Sequence, residues 1–468
     1  MRIPGVWSLA ASLFFSITAS AGAANALVED SKITLGEILG RIDHLAYDPA
    51  RGRLYVAELG NNSVGIVDLK SQKLIRTVGG FAEPQGIAYE PSTDTIFVAS
   101  GGDGSLQMFA GSDFTTLGKI ILGADADNVR VDTASRRVYV GYGNGAIAVV
   151  DAVARKRIAD IPLRGHPESF QLESNGPRIF VNVPDAKLIQ AVSRDTNLPT
   201  GNWSTKDLQA NYPLVVDAPN QRVLAVFRHP ARLEAFDMAV GKRLVGVDTC
   251  GDADDVFVDA VRDRVYVICG EGTVDTYAPA GDSFVRVSQF NTRPGSRTGL
   301  YLPDIDRLAV AVRASGKEQA AVWLLRPSPT TEGRPGLIVM VCEHGNVKSL
   351  MAASYFNELA SARHLPFHAI ARGTAPNSTT VPPPIIDGLR SDGFDVAGFH
   401  PAAVSDVDVA AADRVILINA ELAANISDAA RPPEKWTDVP PASVDYDAAR
   451  KSLKSHVRAL VDQLAQSK

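Results

Sequence analysis

The residues best suited to chemistry lie in one short segment that begins at Cys342. This cysteine falls where an apolar run, 336–341, gives way to a segment of helical periodicity, 349–362. A cysteine at a strand-to-helix turn faces the free N–H groups of the helix, which favour anions and the thiolate form of the side chain. The pattern predicts that Cys342 is a nucleophile. It also predicts that an anion binds to the seven residues that follow, Glu343, His344, Gly345, Asn346, Val347, Lys348 and Ser349.

Three residues of this loop have distinct predicted roles. Gly345 lets the backbone wrap closely, so that consecutive N–H groups form a nest for an oxyanion. Lys348 adds a positive charge, and Ser349 either holds the thiolate by a hydrogen bond or caps the helix. These side chains imply no cofactor.

The loop belongs to a region in which strands and helices alternate from residue 336 to residue 468. Such alternation predicts an α/β domain, with a parallel sheet flanked by helices. Ligands bind in these folds at the carboxyl ends of strands, which is where Cys342 falls. The predicted elements, in chain order, are strand 336–341, helix 349–362, strand 367–371, helix 384–391, strand 414–419 and helix 445–466.

The loop resembles the signature of the low-molecular-weight tyrosine phosphatase and arsenate reductase superfamily, which reads Cys, five residues, then Arg-Ser. Gly-Asn within the loop and Met351-Ala352 at the start of the helix add to the likeness. Further landmarks fall at Arg372-Gly373-Thr374, at 392–395 and at Asp438-Val439-Pro440-Pro441, so the resemblance extends over 336–468. It implies a phosphatase-like fold, attack by Cys342 and, by position, Asp438 as the acid that protonates the leaving group.

The chain departs from this family at several positions. Lys348 stands where the family has arginine, whose planar fork grips two phosphate oxygens at once. Glu343 puts a carboxylate into a loop that holds a dianion, Gly345 comes one position later than in the family, and Val439 separates Asp438 from proline. The cysteines needed to resolve the intermediate of arsenate reduction are missing from this region. We therefore expect weak phosphatase activity or a different oxyanion.

The preceding three-fifths of the chain repeats a pattern every 41 to 44 residues. Each repeat has a short strand, a marker position that is usually acidic, a turn, and an apolar strand such as LYVA, IFVA or VYVG. Four β-rich segments per repeat predict an all-β propeller with seven blades over 31–327. The seven marker positions are Asp48, Glu90, Asp132, Glu173, Asp217, Asp259 and Leu302.

The repeats resemble YVTN-type surface-layer propellers, most clearly in LYVAELGNNSVGIVDL, which begins at Leu54. The seventh repeat ends at Pro327 without a fourth strand, and 32–39 is predicted to supply that strand and close the ring. The long fourth repeat contains 197–211, with Trp203. We interpret it as a protruding loop for partner contact or as a benign surface insertion.

Polar residues open the inner strands of the predicted propeller and should converge on its central channel. Such residues could bind Ca²⁺, as in propeller lactonases, or a small polar ligand. Alternatively, these residues only form hydrogen bonds with the exposed ends of the strands and with water in the channel. The sequence has no HExxH or CxxCH motif, and we predict no metal site from the histidine spacing. The predicted channel residues are Asp43, His44, Asp127, Asn128, Glu168, Asp254, Asp255 and Arg297, with Gln85 and Tyr212 beside them.

The chain has three cysteines, of which Cys250 and Cys269 fall within one repeat. We predict a disulfide between these two in an oxidising compartment, with two buried thiols as the alternative. Cys342 is then the free cysteine.

The N-terminus has the features of a secretory signal peptide over 1–26. Arg2 is followed by the apolar run 6–17 and by small residues that fit cleavage sites, Ala19-Ser20-Ala21 and Ala24-Asn25-Ala26. The alternative is an uncleaved anchor, although the run is shorter than the ~20 residues that span a bilayer. We expect a periplasmic or secreted protein whose mature chain has no membrane span.

Composition and length set the remaining expectations. A chain of 468 residues exceeds the usual size of one hydrophobic core, and 45% hydrophobic residues are ordinary for a globular protein. The net charge of −6 gives no general attraction to nucleic acid. The predicted organisation is a signal peptide, 1–26, a propeller, 31–327, a linker, 328–335, and an α/β domain, 336–468.

Three functions fit these observations. The first is an exported propeller fused to a phosphatase-like domain that binds a phosphate-type anion and hydrolyses phosphomonoesters. The second is a non-catalytic protein whose propeller recognises a protein or a small polar ligand. The third is a propeller hydrolase of the lactonase type.

Overall fold

The computed structural model describes residues 25–466, apart from residues 175, 281–282, 329–335, 364, 366, 379, 395, 397–398, 400, 406–407, 410–411 and 423–431. Most of the predicted signal peptide and all but the first residue of the predicted linker therefore lie outside the described residues. No helix of the described part is long and apolar enough to cross a membrane.

Residues 27–327 form seven four-stranded antiparallel sheets, which are the blades of a β-propeller. The prediction of seven blades is confirmed. Blades one to three consist of β2 (Leu45–Asp48), β3 (Arg53–Glu58), β4 (Ser63–Asp68), β5 (Lys73–Gly79); β6 (Pro84–Glu90), β7 (Thr95–Ser100), β8 (Ser105–Ala110), β9 (Thr116–Ile121); and β10 (Val129–Asp132), β11 (Arg137–Tyr142), β12 (Ala146–Asp151), β13 (Lys156–Pro162).

The remaining blades are built in the same way, and short 3₁₀ turns occur at Leu59–Asn61, Pro184–Ala186 and Pro303–Ile305. Blades four to seven consist of β14 (Phe170–Leu172), β15 (Arg178–Val183), β16 (Leu188–Ser193), β17 (Pro199–Ser204); β18 (Gln209–Asp217), β19 (Arg222–His229), β20 (Ala231–Asp237), β21 (Arg243–Asp248); β22 (Ala253–Asp259), β23 (Arg264–Cys269), β24 (Thr273–Ala280), β25 (Ser283–Asn291); and β26 (Gly299–Leu302), β27 (Arg307–Val312), β28 (Ala320–Pro327), β1 (Leu27–Gly36).

The ring is closed by the N-terminal strand β1, which pairs antiparallel with β28 as the outer strand of blade seven. The prediction of a closing strand is confirmed, although it occupies 27–36 rather than 32–39. Ile33 and Leu35 of β1 are almost fully buried in a core that also contains Leu54 of blade one and Val322 of blade seven. The two ends of the repeat region are therefore held together by hydrogen bonds and by apolar packing.

The acidic marker positions stand at the ends of the inner strands and organise the turns that follow. Asp48 Oδ1 accepts a hydrogen bond from the Arg51 backbone N–H at 3.1 Å, and its Oδ2 accepts one from the Arg51 side chain at 2.7 Å. The same guanidinium reaches Asp94 of the next blade at 2.7 Å. The markers are thus turn-forming and blade-joining residues, which explains why six of the seven repeats carry an acid there.

Cys250 and Cys269 form a disulfide, with their Cα atoms 5.8 Å apart. It joins the segment that enters blade six to the end of β23. The prediction of this pair is confirmed, and Cys342 is the free, buried cysteine.

The predicted protruding loop at 197–211 is wrong. Its first part is β17, the outer strand of blade four, and β18 begins already at Gln209. Trp203 is 7% exposed and packs between Phe180 and Phe236, with ring centroids 5.2 and 6.3 Å away. The segment therefore contributes a regular outer strand of six residues, and its tryptophan packs in the core between blades four and five.

After residue 335 the chain forms a four-stranded parallel sheet of order β30-β29-β31-β32, with helices packed on it. The strand β32 was not predicted. Apolar residues of the helices share one core with alternate residues of the sheet, such as Ile338, Met340 and Ile416, while Val404 and Val409 pack on its other face. The elements are β29 (Gly336–Cys342), α1 (Lys348–Ala362), β30 (Phe367–Gly373), α2 (Pro383–Ser391), β31 (Arg414–Ile418), β32 (Glu434–Trp436) and α3 (Tyr446–Gln466).

Candidate functional site

Cys342 is the last residue of β29, a central strand that lies between β30 and β31. The chain leaves β29 for β30 on one side and reaches β31 on the other, so a crevice forms at the carboxyl end of β29. Helix α1 begins six residues after Cys342, and its N-terminal N–H groups face this crevice. The thiol therefore lies where parallel α/β folds bind ligands.

The Cys342 thiol is contacted by two donors of its own loop. The Gly345 N–H points to Sγ with an N-to-S distance of 3.3 Å, and the Ser349 hydroxyl oxygen lies 3.1 Å from Sγ. Both side chains are buried, Cys342 at 5% exposure and Ser349 at 0%. Val347, not Ser349, occupies the N-cap position of α1. The hydroxyl therefore does not cap the helix, and in its contact with Cys342 either the hydroxyl or the thiol can donate.

The loop can close around the sulfur only because two glycines meet. Gly345 has φ +76°, and a Cβ there would lie 2.7 Å from the backbone nitrogen of Gly373. The end of β30 also holds the loop, because the Thr374 N–H donates to the Cys342 carbonyl at 3.0 Å and the Ala375 N–H donates to the Glu343 carbonyl at 2.7 Å. The backbone of the loop is therefore fixed before any ligand arrives.

Two polar side chains of the loop anchor it rather than line it. His344 Nδ1 lies 3.0 Å from the Ala375 carbonyl oxygen, and the Asn346 amide donates to the Thr380 carbonyl at 3.0 Å. The Glu343 side chain is 72% exposed and faces a cavity of about 410 Å³ that it shares with Thr374, Asn419 and Thr437. Its carboxylate is thus screened by water, which weakens its repulsion of an anion.

Lys348 is held at the rim of the loop by the neighbouring elements. Its ammonium donates to Asn419 Oδ1 at 2.8 Å and to the Val439 carbonyl at 3.1 Å. Burial lowers the pKa of Lys348, although the nearby Cys342 and Glu343 act in the opposite direction. Because an ammonium has three N–H bonds, these two acceptors leave one for a ligand.

Asp438 lies beside this rim but is engaged elsewhere. Its carboxylate is 2.7 Å from His456 Nε2, and the His456 ring stacks on Trp436 at 4.8 Å. The hydrogen bond to His456 lowers the pKa of Asp438. A carboxyl group with a lowered pKa is ionised at neutral pH and is a poor proton donor. The Asp438–Val439 segment does reach the loop, through the bond from Lys348 to the Val439 carbonyl.

Sequence reasoning missed Asn419, which follows β31 and has φ +48°. It accepts from Lys348 and donates to the Thr437 carbonyl at 2.8 Å, so it joins three segments of the crevice. A polar residue directly after a buried strand, at the same sheet edge as Cys342, was the available signal.

The second region of interest is a polar cavity of about 350 Å³ at the centre of the propeller. Residues from all seven blades contribute to it. Of the predicted channel residues only Asp255 lies behind the lining, where it accepts from the Gly299 N–H at 2.8 Å. Sequence reasoning missed five lining residues, four that precede inner strands and one in a second strand, β19: Arg41, Asp125, His166, Ser169 and Arg228. The lining residues are Arg41, Asp43, His44, Gln85, Asp125, Asp127, Asn128, His166, Glu168, Ser169, Tyr212, Arg228, Asp254 and Arg297.

One side of this cavity is a network of paired charges. Arg228 and Arg297 both contact Asp254, at 2.7 and 3.0 Å. Arg41 contacts Asp43 at 2.9 Å, and the Arg228 guanidinium stacks on Tyr212 at 3.9 Å. These ion pairs neutralise the cavity acids of blades one and six, Asp43 and Asp254.

His44 belongs to the same network. It lies 3.7 Å from Asp255 and 3.8 Å from Asp43. Burial alone would lower the pKa of His44, but the two carboxylates outweigh it and raise the pKa to about 10. His44 is therefore a cation at neutral pH, and it completes the pairing on this side.

The comparisons with known proteins bear on the fold alone. No family model matches the chain, and no curated protein matches it. Many solved structures do match, among them a chain of the crystal structure of a mitotic checkpoint complex, which is a WD40-type propeller. That chain is 12% identical, with a TM-score of 0.54 over 70% of this chain and 99% of its own length. At this identity the match shows that the two chains share a propeller fold.

No group of three or more His, Cys, Asp or Glu side chains in the described part of the chain is arranged to hold a metal ion.

Proposed function

We propose that the protein is exported and that its C-terminal region, 336–468, binds a phosphate-type anion at the Cys342 loop and hydrolyses phosphomonoesters. The observation that carries the proposal is the pair of polar contacts on Cys342 Sγ, the donating Gly345 N–H and the Ser349 hydroxyl. Both groups can donate to the sulfur when it is a thiolate, which is the nucleophilic form of cysteine. The disulfide in blade six supports export, since disulfides persist in oxidising compartments.

The proposed reaction has two displacements. The Cys342 thiolate attacks phosphorus, an S–P bond forms, and the P–O bond to the ester oxygen breaks with its electrons on that oxygen. Water then attacks the phosphocysteine, a P–O bond forms and the thiolate leaves. The loop N–H groups and Lys348 stabilise the charge on the phosphoryl oxygens in both steps.

The leaving group limits this reaction. Asp438, the residue that the family resemblance assigns to protonate it, is ionised and bonded to His456. We therefore expect turnover of aryl phosphates, whose leaving groups need no proton, and much slower turnover of alkyl phosphates.

The test is hydrolysis of p-nitrophenyl phosphate by the full chain. Cys342→Ser should abolish turnover, and Ser349→Ala should lower kcat about 10²-fold, as loss of one preorganised donor does elsewhere. The matched control is Ser354→Ala, which removes a hydroxyl of the same helix that bonds only to the Leu350 carbonyl, and it should leave kcat unchanged. Equal rates for wild type and Cys342→Ser would overturn the proposal.

A second function is favoured by one observation, the two hydrogen bonds that occupy two of the three N–H groups of the Lys348 ammonium. An anion-binding region without turnover would then serve a propeller that recognises a partner, as propeller folds often do. Phosphate binding to Cys342→Ser at wild-type affinity, without any turnover in wild type, would distinguish this function from the first.

A further inference from the structure

The propeller cavity contains two carboxylates that the charge network does not neutralise. Asp127 of blade three and Glu168 of blade four both line it, and neither makes an ion pair with a residue of the described part. Their backbones are fixed, because the Asp127 N–H donates to the Gly141 carbonyl and the Glu168 N–H donates to the Asn182 carbonyl, both at 3.0 Å. The backbone segments that carry the two carboxylates are therefore fixed beside the cavity.

A second observation at the same place is independent of charge. Asn128 is 3% exposed and lines the cavity, and its Oδ1 is buried without a hydrogen-bond partner among the described residues. Asp127 Oδ1 is also buried without a partner. A buried acceptor left without a donor is costly, so two of them in neighbouring residues indicate that a ligand brings the donors.

We propose that this cavity binds a small organic cation that carries N–H donors, such as a primary amine or a guanidine, through Asp127, Glu168 and Asn128. The part of the cavity that these three residues line has carboxylates and an amide oxygen without donors among the described residues. A protonated amine supplies both the positive charge and the N–H donors that would pair with them. The cavity volume of about 350 Å³ falls in the range of small-molecule sites and is far larger than one metal ion requires. This inference does not depend on the function proposed for the Cys342 loop.

The opposite wall of the cavity orients the ligand. Arg228, Arg297 and His44 keep positive charge on the side of blades five to seven and one. A ligand with one cationic end would therefore place that end between Asp127 and Glu168. Its hydroxyl or neutral end would face the arginines and Tyr212.

The surroundings make the binding dependent on pH. Burial, together with the Asp254 and Asp125 carboxylates, raises the pKa of Glu168 to about 7 against the opposing effect of Arg228 and Arg41. Burial also raises the pKa of Asp127, with Asp43, Glu168 and Asp254 acting in the same direction and His44 against it. Both carboxyl groups must ionise to hold a cation, so binding should strengthen as the pH rises from 6 to 8 and should release protons.

The experiment is calorimetric titration of the full chain at pH 7.5 with three monocationic amines that also carry hydroxyl groups, ethanolamine, 4-amino-1-butanol and glucosamine. At least one should bind with one site per chain. Asp127→Asn, Glu168→Gln and Asn128→Leu should each weaken that binding at least tenfold. The matched control is Asp160→Asn, which removes a carboxylate of the same blade that bonds to Arg157 and Tyr142 outside the cavity, and it should bind as wild type does.

Two further probes sharpen the test. Tetramethylammonium, a cation without N–H groups, should not bind, and Ca²⁺ should not compete with the amine. At pH 6.5, the heat of amine binding should change with the ionisation enthalpy of the buffer, which a merely structural role of Asp127 would not produce. The proposal is overturned if none of the three amines binds, if Asp127→Asn and Glu168→Gln leave binding intact, or if Ca²⁺ displaces the amine. Circular dichroism of each variant shows whether the fold is kept.

Discussion

The propeller cavity and the Cys342 loop, for which we propose charged ligands of opposite sign, are built in opposite ways. The cavity gathers single side chains from seven blades, so its character depends on which charges remain unpaired after the blades have closed. The loop lies within one strand, one turn and one helix, and its donors are mainly backbone N–H groups. The comparison teaches that an acidic site can depend on the whole ring, whereas an anion site can be built almost locally.

The largest effect should come from opening the ring. Deletion of residues 25–36 removes β1 and exposes the core against which it packs. Leu27, Ile33 and Leu35 are each at most 1% exposed, and burial of each contributes about 1.5–3 kcal/mol. We expect a loss of more than about 5 kcal/mol in the free energy of unfolding, measured by urea denaturation followed by circular dichroism.

This deletion separates the two regions. Amine binding to the cavity should disappear, while p-nitrophenyl phosphate turnover should remain if the Cys342 region folds on its own. A matched control is Val28→Ala on the same strand, since Val28 is 40% exposed, and it should change stability by less than about 0.5 kcal/mol. An intact propeller after the deletion would show that the ring does not need its closing strand.

The disulfide should have the next largest effect, again on the propeller alone. Cys250→Ser with Cys269→Ser frees a loop of 19 residues, for which the loop-entropy model gives about 3 kcal/mol. We expect this loss in the free energy of unfolding of the propeller, with p-nitrophenyl phosphate turnover unchanged. Reductant should destabilise wild type by the same amount and leave the double variant unaffected.

The loop should be broken by a single methyl group. Gly345→Ala puts a Cβ 2.7 Å from the Gly373 backbone nitrogen at φ +76°, so either the loop or β30 must move. We expect a stability cost of about 1–3 kcal/mol and loss of phosphate binding, measured by thermal melting and by calorimetry. The control Gly393→Ala has φ +95° but nothing within 4 Å of its Cβ, so it carries the strain without the collision and should keep phosphate binding.

The smallest effect is the response of the propeller to pH. In the folded state the pKa is raised to about 7 for Glu168 and to about 6 for Asp254, whereas an ordinary carboxyl group has a pKa of about 4. Between these values the folded state binds more protons than the unfolded state, so this part of the stability is lost as the pH rises. The stability contribution of His44 is complete below about 6.5 and is lost as the pH rises through its pKa of about 10. All three groups therefore lower stability as the pH rises.

We expect the melting temperature of the propeller to fall by several degrees from pH 5 to pH 8. Asp127→Asn should flatten this decline and stabilise the protein at pH 8, because the ionisation of a buried carboxyl is removed. The same variant should lose the amine, which is the usual exchange between stability and binding at such sites. A melting temperature that rises toward pH 8 would contradict the raised pKa values.

Much of the architecture could be predicted because strands and marker acids repeat at regular intervals along the chain. The marker acids from Asp48 to Asp259 fall at regular intervals, and each is needed in its own turn, so the repeat was visible without the structure. The disulfide was predicted from the proximity of Cys250 and Cys269 in the chain. The phosphatase likeness of 336–468 and the secretory signal remain predictions.

What failed was anything that depends on packing between repeats. Trp203 read as part of a loop because its partners, Phe180 and Phe236, come from other strands. Arg228 was missed because a residue of a second strand enters the cavity only through its long side chain, which reaches Asp254 of the next blade.

The sequence by itself determined the seven repeats, the closing strand and the order Cys-Gly-Lys-Ser of the loop, because each is a matter of spacing along the chain. Only the tertiary structure decided which charges remain after pairing. Asp438 is hydrogen-bonded to His456 and Lys348 to Asn419, whereas the Oδ1 atoms of Asp127 and Asn128 have no hydrogen-bond partner among the described residues. The physical reason is that the energy of a charge depends on its neighbours in space, and these come from segments that are distant in sequence.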